Sequence, residues 1–422
     1  MTGGVYHHPP GKLSRRGVVD VGLKCVHSCA HCFYAYLDGS DDQFAGMRHA
    51  RWHKRENLLA LVDSLADHGF ESFDVTGGEP TLHPDIVELV ARATEHGLAS
   101  RIITLGQFLS RRDFALLRQL LDAGLVDFRF SLHAVEQEMF GHMTGGRLEL
   151  LVAAMDELQR RGFQYVTNTT VTEENYRALP QIAAWIANRP EIYQATLLFF
   201  MPYYQWSTAG HAGAHRVRYS EIARYMREAV AIIEAAGIGC TIRYAPQCTI
   251  GGMERNHVGI AGVRHDPHEW MNCIDHTADP ETTTAGEMHA MGRPLPLHDW
   301  DQGVALEEIA GADPVARRGS KLFPRACRSC RALTICDGAD KAYLDEFGAG
   351  ELRPYAAFRG DVLDRERLRY LPGFITKAAP DADARFAVRQ AFQEMNEEQR
   401  KWKRRRRSVK KKPRHDAGFV RG

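Results

Sequence analysis

Three cysteines, Cys25, Cys29 and Cys32, stand in the segment KCVHSCAHCFY at the spacing C-x3-C-x2-C. Three thiolates on one short loop can hold three corners of a cubane iron–sulfur cluster and leave the fourth iron without a protein ligand. Four would close the cluster and suit it to electron transfer. An open iron can be chelated directly by a substrate or cosubstrate. The competing chemistry is zinc, held by the three thiols with His27 or His31. Zinc sites usually pair C-x2-C with a second dyad, and the longer gap is unusual there. Further on, DVTGGEP (74–80) sets two glycines, Gly77 and Gly78, before Glu79 and Pro80. Glycines at such a place let the backbone approach a ligand closely. A second group, ACRSCRALTICDG, puts Cys327, Cys330 and Cys336 at C-x2-C-x5-C. That spacing suits a closed cluster completed by a fourth ligand, or a structural zinc on the same thiols.

The elements that must position these groups follow from the hydrophobic pattern. Short apolar runs at 18–23, 72–76, 101–104, 127–131, 165–171 and 195–201 alternate with amphipathic stretches at 53–68, 85–96, 111–123, 149–161 and 179–188. In the first stretch Leu58, Leu59, Leu61, Val62 and Leu65 form one broad stripe. Repeated strand-then-helix units predict an α/β fold with parallel strands joined by right-handed crossovers. About six units fit before Pro202, which suits a partial (β/α)6 TIM-like barrel or an open parallel sheet. Ligands in such folds sit at the C-terminal ends of the strands. The cysteine triplet follows the first run, 77–80 follows the second, Thr104 and Gly106 close the third, and Ser131 and His133 close the fourth. Beyond the aromatic segment 201–206, which could line a substrate pocket, a helix is predicted at 219–236 and a strand at 239–244. Cys240 in that strand reads as a core residue. Residues 246–324 form a long aperiodic stretch, and such stretches are usually functional or wrapped around something.

Lys and Arg number 54 against 53 Asp and Glu, a net charge of +1 that hides a strongly basic run at 400–414. That run reads as a solvated tail, with phosphate neutralisation on nucleic acid the less favoured use. The N-terminus has no apolar signal region and no stretch is long enough to span a bilayer, so a membrane role is not expected and a cytoplasmic location is. The nine cysteines are odd in number and clustered, which in a reducing compartment favours metal ligation over disulfides.

The spacing of Cys25, Cys29 and Cys32, with His31 at the aromatic position, resembles the CxxxCxΦC signature of the radical S-adenosylmethionine (radical SAM) superfamily, and 77–80 resembles its GGEP element. The resemblance implies a 4Fe–4S cluster whose open iron binds the methionine amino and carboxylate groups of S-adenosylmethionine. Reductive cleavage would then give a 5′-deoxyadenosyl radical that takes hydrogen from a substrate. It also implies cofactor contacts at Gly77, Gly78, Glu79 and Pro80, with Phe33 presenting its backbone to the adenine. Thr104, Ser131 and Asn168 are further contacts. Leu105 stands where many members have Asn, and His133 where many have Asp. The second group resembles the SPASM and Twitch auxiliary-cluster extensions. In those, one ligand comes from upstream, which points to Cys248, with Cys273 as the alternative. Six cysteines in this half are too few for two closed clusters, which need about eight thiolates. The Twitch type with one auxiliary 4Fe–4S cluster is therefore expected.

The expected organisation is an N-terminal segment (1–14), a core barrel (15–215), an auxiliary-cluster domain (216–345), a helical segment (346–395) and a basic tail (396–422). The first strand begins near Val18, which leaves no room for a leader-binding domain and favours a small-molecule substrate in a natural-product or sugar pathway over a peptide or protein. The expected reducing partner is flavodoxin or ferredoxin. A zinc-stabilised nucleic-acid-binding protein is the alternative from another class, and such a protein would not need GGEP.

Overall fold

The computed structural model describes residues 16–32, 45–70, 72–200, 217–257, 279–291, 315–318, 321–330, 336 and 338–355. Phe33, Cys273, the 201–206 segment and the basic tail lie outside the described residues.

Seven parallel strands form one sheet in the order β1 to β7. They are β1 Arg16–Asp20, β2 Ser72–Thr76, β3 Ala99–Thr104, β4 Asp127–Ser131, β5 Tyr165–Val171, β6 Ile192–Phe199 and β7 Gly239–Arg243. Among the described residues β1 and β7 do not pair, so the sheet stays open as a partial barrel. Strand order equal to chain order means that every crossover has the same sense, as parallel units require. The six-strand expectation is exceeded by one. The strand at 239–243 does not belong to a separate extension. Its first five partners run from Gln194↔Gly239 to Leu198↔Arg243, continuous with β6. The core therefore extends past residue 215, because the helix expected there is the β6–β7 crossover.

The helices are α1 Ala45–His49, α2 Arg55–Asp67, α3 Ile86–Glu95, α4 Arg111–Asp122, α5 Gln137–Thr144, α6 Leu148–Arg160, α7 Leu179–Ala187, α8 Tyr219–Ala235, α9 Ala285–Met291 and α10 Lys341–Phe347. Their buried stripes follow the helical period. In α3 these are Ile86, Leu89, Val90 and Ala93, and in α6 Leu148, Leu151, Ala154, Met155 and Leu158. These stripes meet Phe73, Val75, Phe128 and Phe130 from the sheet in one continuous core, which also takes in Cys240 at 0% exposure.

Part of the long aperiodic stretch returns to the start of the fold. Asn57 Nδ2 donates to the Thr283 carbonyl at 2.7 Å and Ser64 Oγ to the His289 carbonyl at 2.6 Å, which lays α9 along α2. A second, antiparallel sheet is built from β8 Val315–Arg318, β9 Lys321–Pro324 and β10 Ala339–Asp340. It is fastened to α8 by Tyr343, whose ring stacks on Tyr219 at 3.9 Å, and by Tyr219 Oη, 3.3 Å from Asp340 Oδ2.

Candidate metal centre and its surroundings

The cysteine triplet lies just past the C-terminal end of β1, on a loop held by backbone bonds from three directions. Cys25 N–H donates to the Met47 carbonyl at 3.1 Å, Ser28 N–H to Thr144 at 3.0 Å and Ala30 N–H to Met143 at 3.2 Å. From β2, Gly78 N–H donates to the Gly22 carbonyl at 2.9 Å and Glu79 N–H to the Lys24 carbonyl at 3.0 Å. Glycine is required for this approach: a Cβ on Gly78 would sit 2.1 Å from the Lys24 carbonyl oxygen, and one on Gly77, whose φ is +130°, would sit 2.5 Å from that of Gly22. The GGEP backbone is thus packed against the cysteine loop, and the N–H groups of Gly78 and Glu79 are already used there. The expectation that these glycines serve a direct approach to a ligand is replaced in part by this docking.

Glu79 is 2% exposed and is a clamp. Its Oε1 accepts from Thr81 N–H at 3.2 Å, Thr81 Oγ1 at 2.5 Å and Thr104 Oγ1 at 2.6 Å, and its Oε2 accepts from Leu105 N–H at 3.1 Å. Thr104 Oγ1 in turn accepts from Gly106 N–H at 2.8 Å. Pro80 opens the short 3-10 turn Pro80–Leu82 that Glu79 caps. Glu79 and Thr104 therefore tie the ends of β2 and β3 together. Ser131 at the end of β4 pairs in register with Asn168 midway along β5, Oγ to Oδ1 at 3.5 Å.

Electrostatics keep the free thiols neutral. Burial, and then the Glu79 carboxylate, push Cys25 up to about 12, and burial pushes Cys29 well above the ordinary thiol range. Metal binding here would have to displace protons. The donor set fits a group that binds thiolates: three free cysteines on one pinned loop, with His27 N–H already directed at Cys25 Sγ over 3.4 Å. No three His, Cys, Asp or Glu side chains converge on a single metal ion among the described residues.

His31 is committed to a partner that sequence reasoning left out of the site. Its Nε2 lies 3.2 Å from Nε2 of His133, and His133 Nδ1 accepts from Thr170 N–H at 3.1 Å. The second bond makes Nδ1 of His133 the unprotonated nitrogen, so its Nε2 carries hydrogen and donates to His31. His31 then presents N–H at Nδ1, a buried atom with no partner among the described residues. Burial pulls His31 down to about 4 and His133 well below the ordinary range, so both rings are neutral.

The second cysteine group is brought together from three chain segments. Cys248, Cys327, Cys330 and Cys336 line one pocket with Gln247, Phe323, Leu352 and Tyr355. Backbone N–H groups point at the sulfurs: Gln247 and Gly338 at Cys336 and Tyr355 at Cys330, each at 3.4 Å, and Arg353 at Cys248. Burial, then Cys248 and Cys330, push Cys327 up to about 12.

Residues 19–186, which hold the triplet, the GGEP clamp and strands β2 to β5, match the family model described as the Radical SAM superfamily. That segment of the chain carries a radical SAM domain. The chain is 29% identical to a probable GTP 3′,8-cyclase of Metallosphaera sedula over 164 residues, 38% of this chain and 49% of that protein. It is 27% identical to the PqqA peptide cyclase of Granulibacter bethesdensis over 294 residues, 66% of this chain and 71% of that one. The chain thus spans about half the length of the GTP cyclase it matches. Among solved structures, SuiB of Streptococcus suis bound to precursor peptide SuiA shares 16% identity at a TM-score of 0.45, over 55% of this chain and 48% of SuiB.

Sequence reasoning missed Met47, Met143, Thr144, Gln247 and Tyr355, and placed His133 at a strand end without a partner. Most act through backbone atoms, which no side-chain pattern reports. His133 had a signal, a titratable residue just past the end of β4.

Proposed function

We propose that the chain reductively cleaves S-adenosylmethionine at a 4Fe–4S cluster held by Cys25, Cys29 and Cys32, and abstracts hydrogen from a substrate. The observation that carries this reading is the three-thiol loop at the C-terminal end of β1, locked to residues 78–79 by two backbone bonds, inside the segment that matches the family. When bound, the cluster and its cosubstrate supply the electron transfer and the 5′-deoxyadenosyl radical. The chain's own part is to fix the loop and to keep His31 neutral with N–H at Nδ1. It also offers Ser131 at the end of β4 and Asn168 beside it on β5 as further polar contacts. A flavodoxin- or ferredoxin-type protein is the proposed reductant.

Cys248, Cys327, Cys330 and Cys336 are proposed as ligands of an auxiliary iron–sulfur cluster in a Twitch- or SPASM-like extension. Four thiols around one pocket, with backbone N–H groups aimed at sulfur, support this assignment. For the substrate we favour a peptide. The peptide cyclase relative aligns with 66% of the chain, well beyond the radical SAM segment, where the GTP cyclase aligns with 38%. A small molecule is the second reading, supported by the GTP cyclases.

The test is anaerobic. Protein purified without oxygen should be brown and hold about eight irons if both sites are cubanes, or about four if the second binds zinc. With dithionite and S-adenosylmethionine it should form 5′-deoxyadenosine. Cys29→Ala should abolish the nucleoside and leave the second site's absorbance. A colourless protein, or nucleoside formed by the variant, refutes the assignment.

A further inference from the structure

Gln247 is 0% exposed, and both its Nε2 and its Oε1 are buried without a partner among the described residues. Its backbone, in contrast, is fully engaged. The N–H donates to Cys336 Sγ at 3.4 Å, and the carbonyl accepts from Tyr355 Oη at 3.2 Å. These two bonds hold the backbone of Gln247 beside Cys336, and Gln247 is one of the residues that line the pocket the four thiols share. Leu322, Phe323, Leu352 and Pro354 also line that pocket, and their side chains offer no hydrogen-bonding atom. Tyr355 Oη is directed to the Gln247 carbonyl and to Glu254 Oε1, 3.1 Å away.

A buried carboxamide with neither end paired is costly, and an apolar side chain of similar length would avoid that cost. An unmet N–H is the rarer orphan; an under-satisfied carbonyl is better tolerated. The donor end is thus the one that calls for a partner, and the four cysteine sulfurs that line this pocket are acceptors. We propose that Gln247 Nε2 donates a hydrogen bond to a thiolate or bridging sulfide of the iron–sulfur group held by Cys248, Cys327, Cys330 and Cys336, and so sets its reduction potential. The inference rests on the auxiliary-cluster reading above. Gln247 is a positioning residue and touches no reacting atom.

An N–H···S bond stabilises the more negative, reduced cluster and raises its potential. The backbone donors at Gln247, Gly338 and Tyr355 survive substitution, so a change at Gln247 removes one donor and leaves those in place.

The experiment is a redox titration, followed by electron paramagnetic resonance, of the full-length chain carrying Cys29→Ala and reconstituted with iron and sulfide. That background confines the signal to the second site. Adding Gln247→Leu should lower the potential enough to shift the oxidised-to-reduced ratio about tenfold at the parent midpoint, 59 mV for a one-electron couple. Gln247→Glu, which keeps the shape, lacks the donor and adds negative charge, should lower it at least as far. It serves as the readout if the leucine variant fails to take up iron. A ratio within about threefold of the parent in a variant that binds iron overturns the proposal alone. Zinc, or no redox signal, in the parent's second site overturns the auxiliary-cluster reading and the proposal with it.

Discussion

At the scale of single residues, the loop's surroundings are organised by buried polar groups, Glu79 first among them. Glu79 accepts four hydrogen bonds from the turn after β2 and the end of β3, so Glu79→Gln turns at least one acceptor into a donor facing a donor. The variant should be about 1–3 kcal/mol less stable in urea unfolding, because buried donors lose their partner. Buried neutral imidazoles give a pH dependence. Burial lowers His53, His83 and His133, so the folded chain binds fewer protons than the unfolded chain just below the ordinary value of about 6.5. Stability is therefore complete above that value and falls as pH drops below it, by up to about 1.4 kcal/mol per unit for each group. Urea midpoints measured from pH 7.5 to 5.5 should decline, and a flat profile would count against neutral burial of these rings.

At the scale of elements, the centre depends on how closely loops pack. The C-terminal turn of α5, the end of α1 and the GGEP turn after β2 all meet the cysteine loop through backbone atoms. Gly145, with φ +67°, lets α5 end against Ser28; a Cβ there would lie 2.3 Å from Ser28 Oγ. Gly78 leaves even less room, since the atoms a Cβ would strike belong to the Lys24 and Leu23 backbone, which cannot swing aside. Gly78→Ala should cost more than about 2 kcal/mol, in the range of strained or overpacked sites. It should also lower iron content per chain, measured together with the denaturation midpoint. Gly286→Ala in α9 is the control, because its backbone is helical and nothing lies within 4 Å of its added Cβ.

At the scale of the whole molecule, the two cysteine sites stand on unequal supports. The triplet rests on a seven-stranded sheet with a continuous core, whereas the second group rests on strands of two and four residues and a seven-residue helix, docked through Tyr219 and Tyr343. Metal binding free energy is folding free energy in such small elements. Removing iron with a chelator should therefore abolish hydrogen-exchange protection at 321–330 and 338–347 first, while β2 to β6 keep theirs. Equal loss in both regions would show that the core also depends on metal. Among the described residues no helix is long and apolar enough to cross a membrane.

The strands and their crossover helices were legible in the sequence because burial of one stripe or one run imposes a period. The observed β2, β4 and β5 coincide with apolar runs 72–76, 127–131 and 165–171. Spacing alone marked the triplet, since three thiols on one loop need no partner from elsewhere to read as ligands. The tertiary structure decided what depends on distant chain and on backbone atoms. It placed β7 in the main sheet and laid α9 on α2. It committed Glu79 to a clamp, paired His31 with His133 across 102 residues, and carried Gln247 and Tyr355 to the second cysteines. Carbonyls and amides look the same at every position of a sequence, so which of them meet is settled only when the chain folds back on itself.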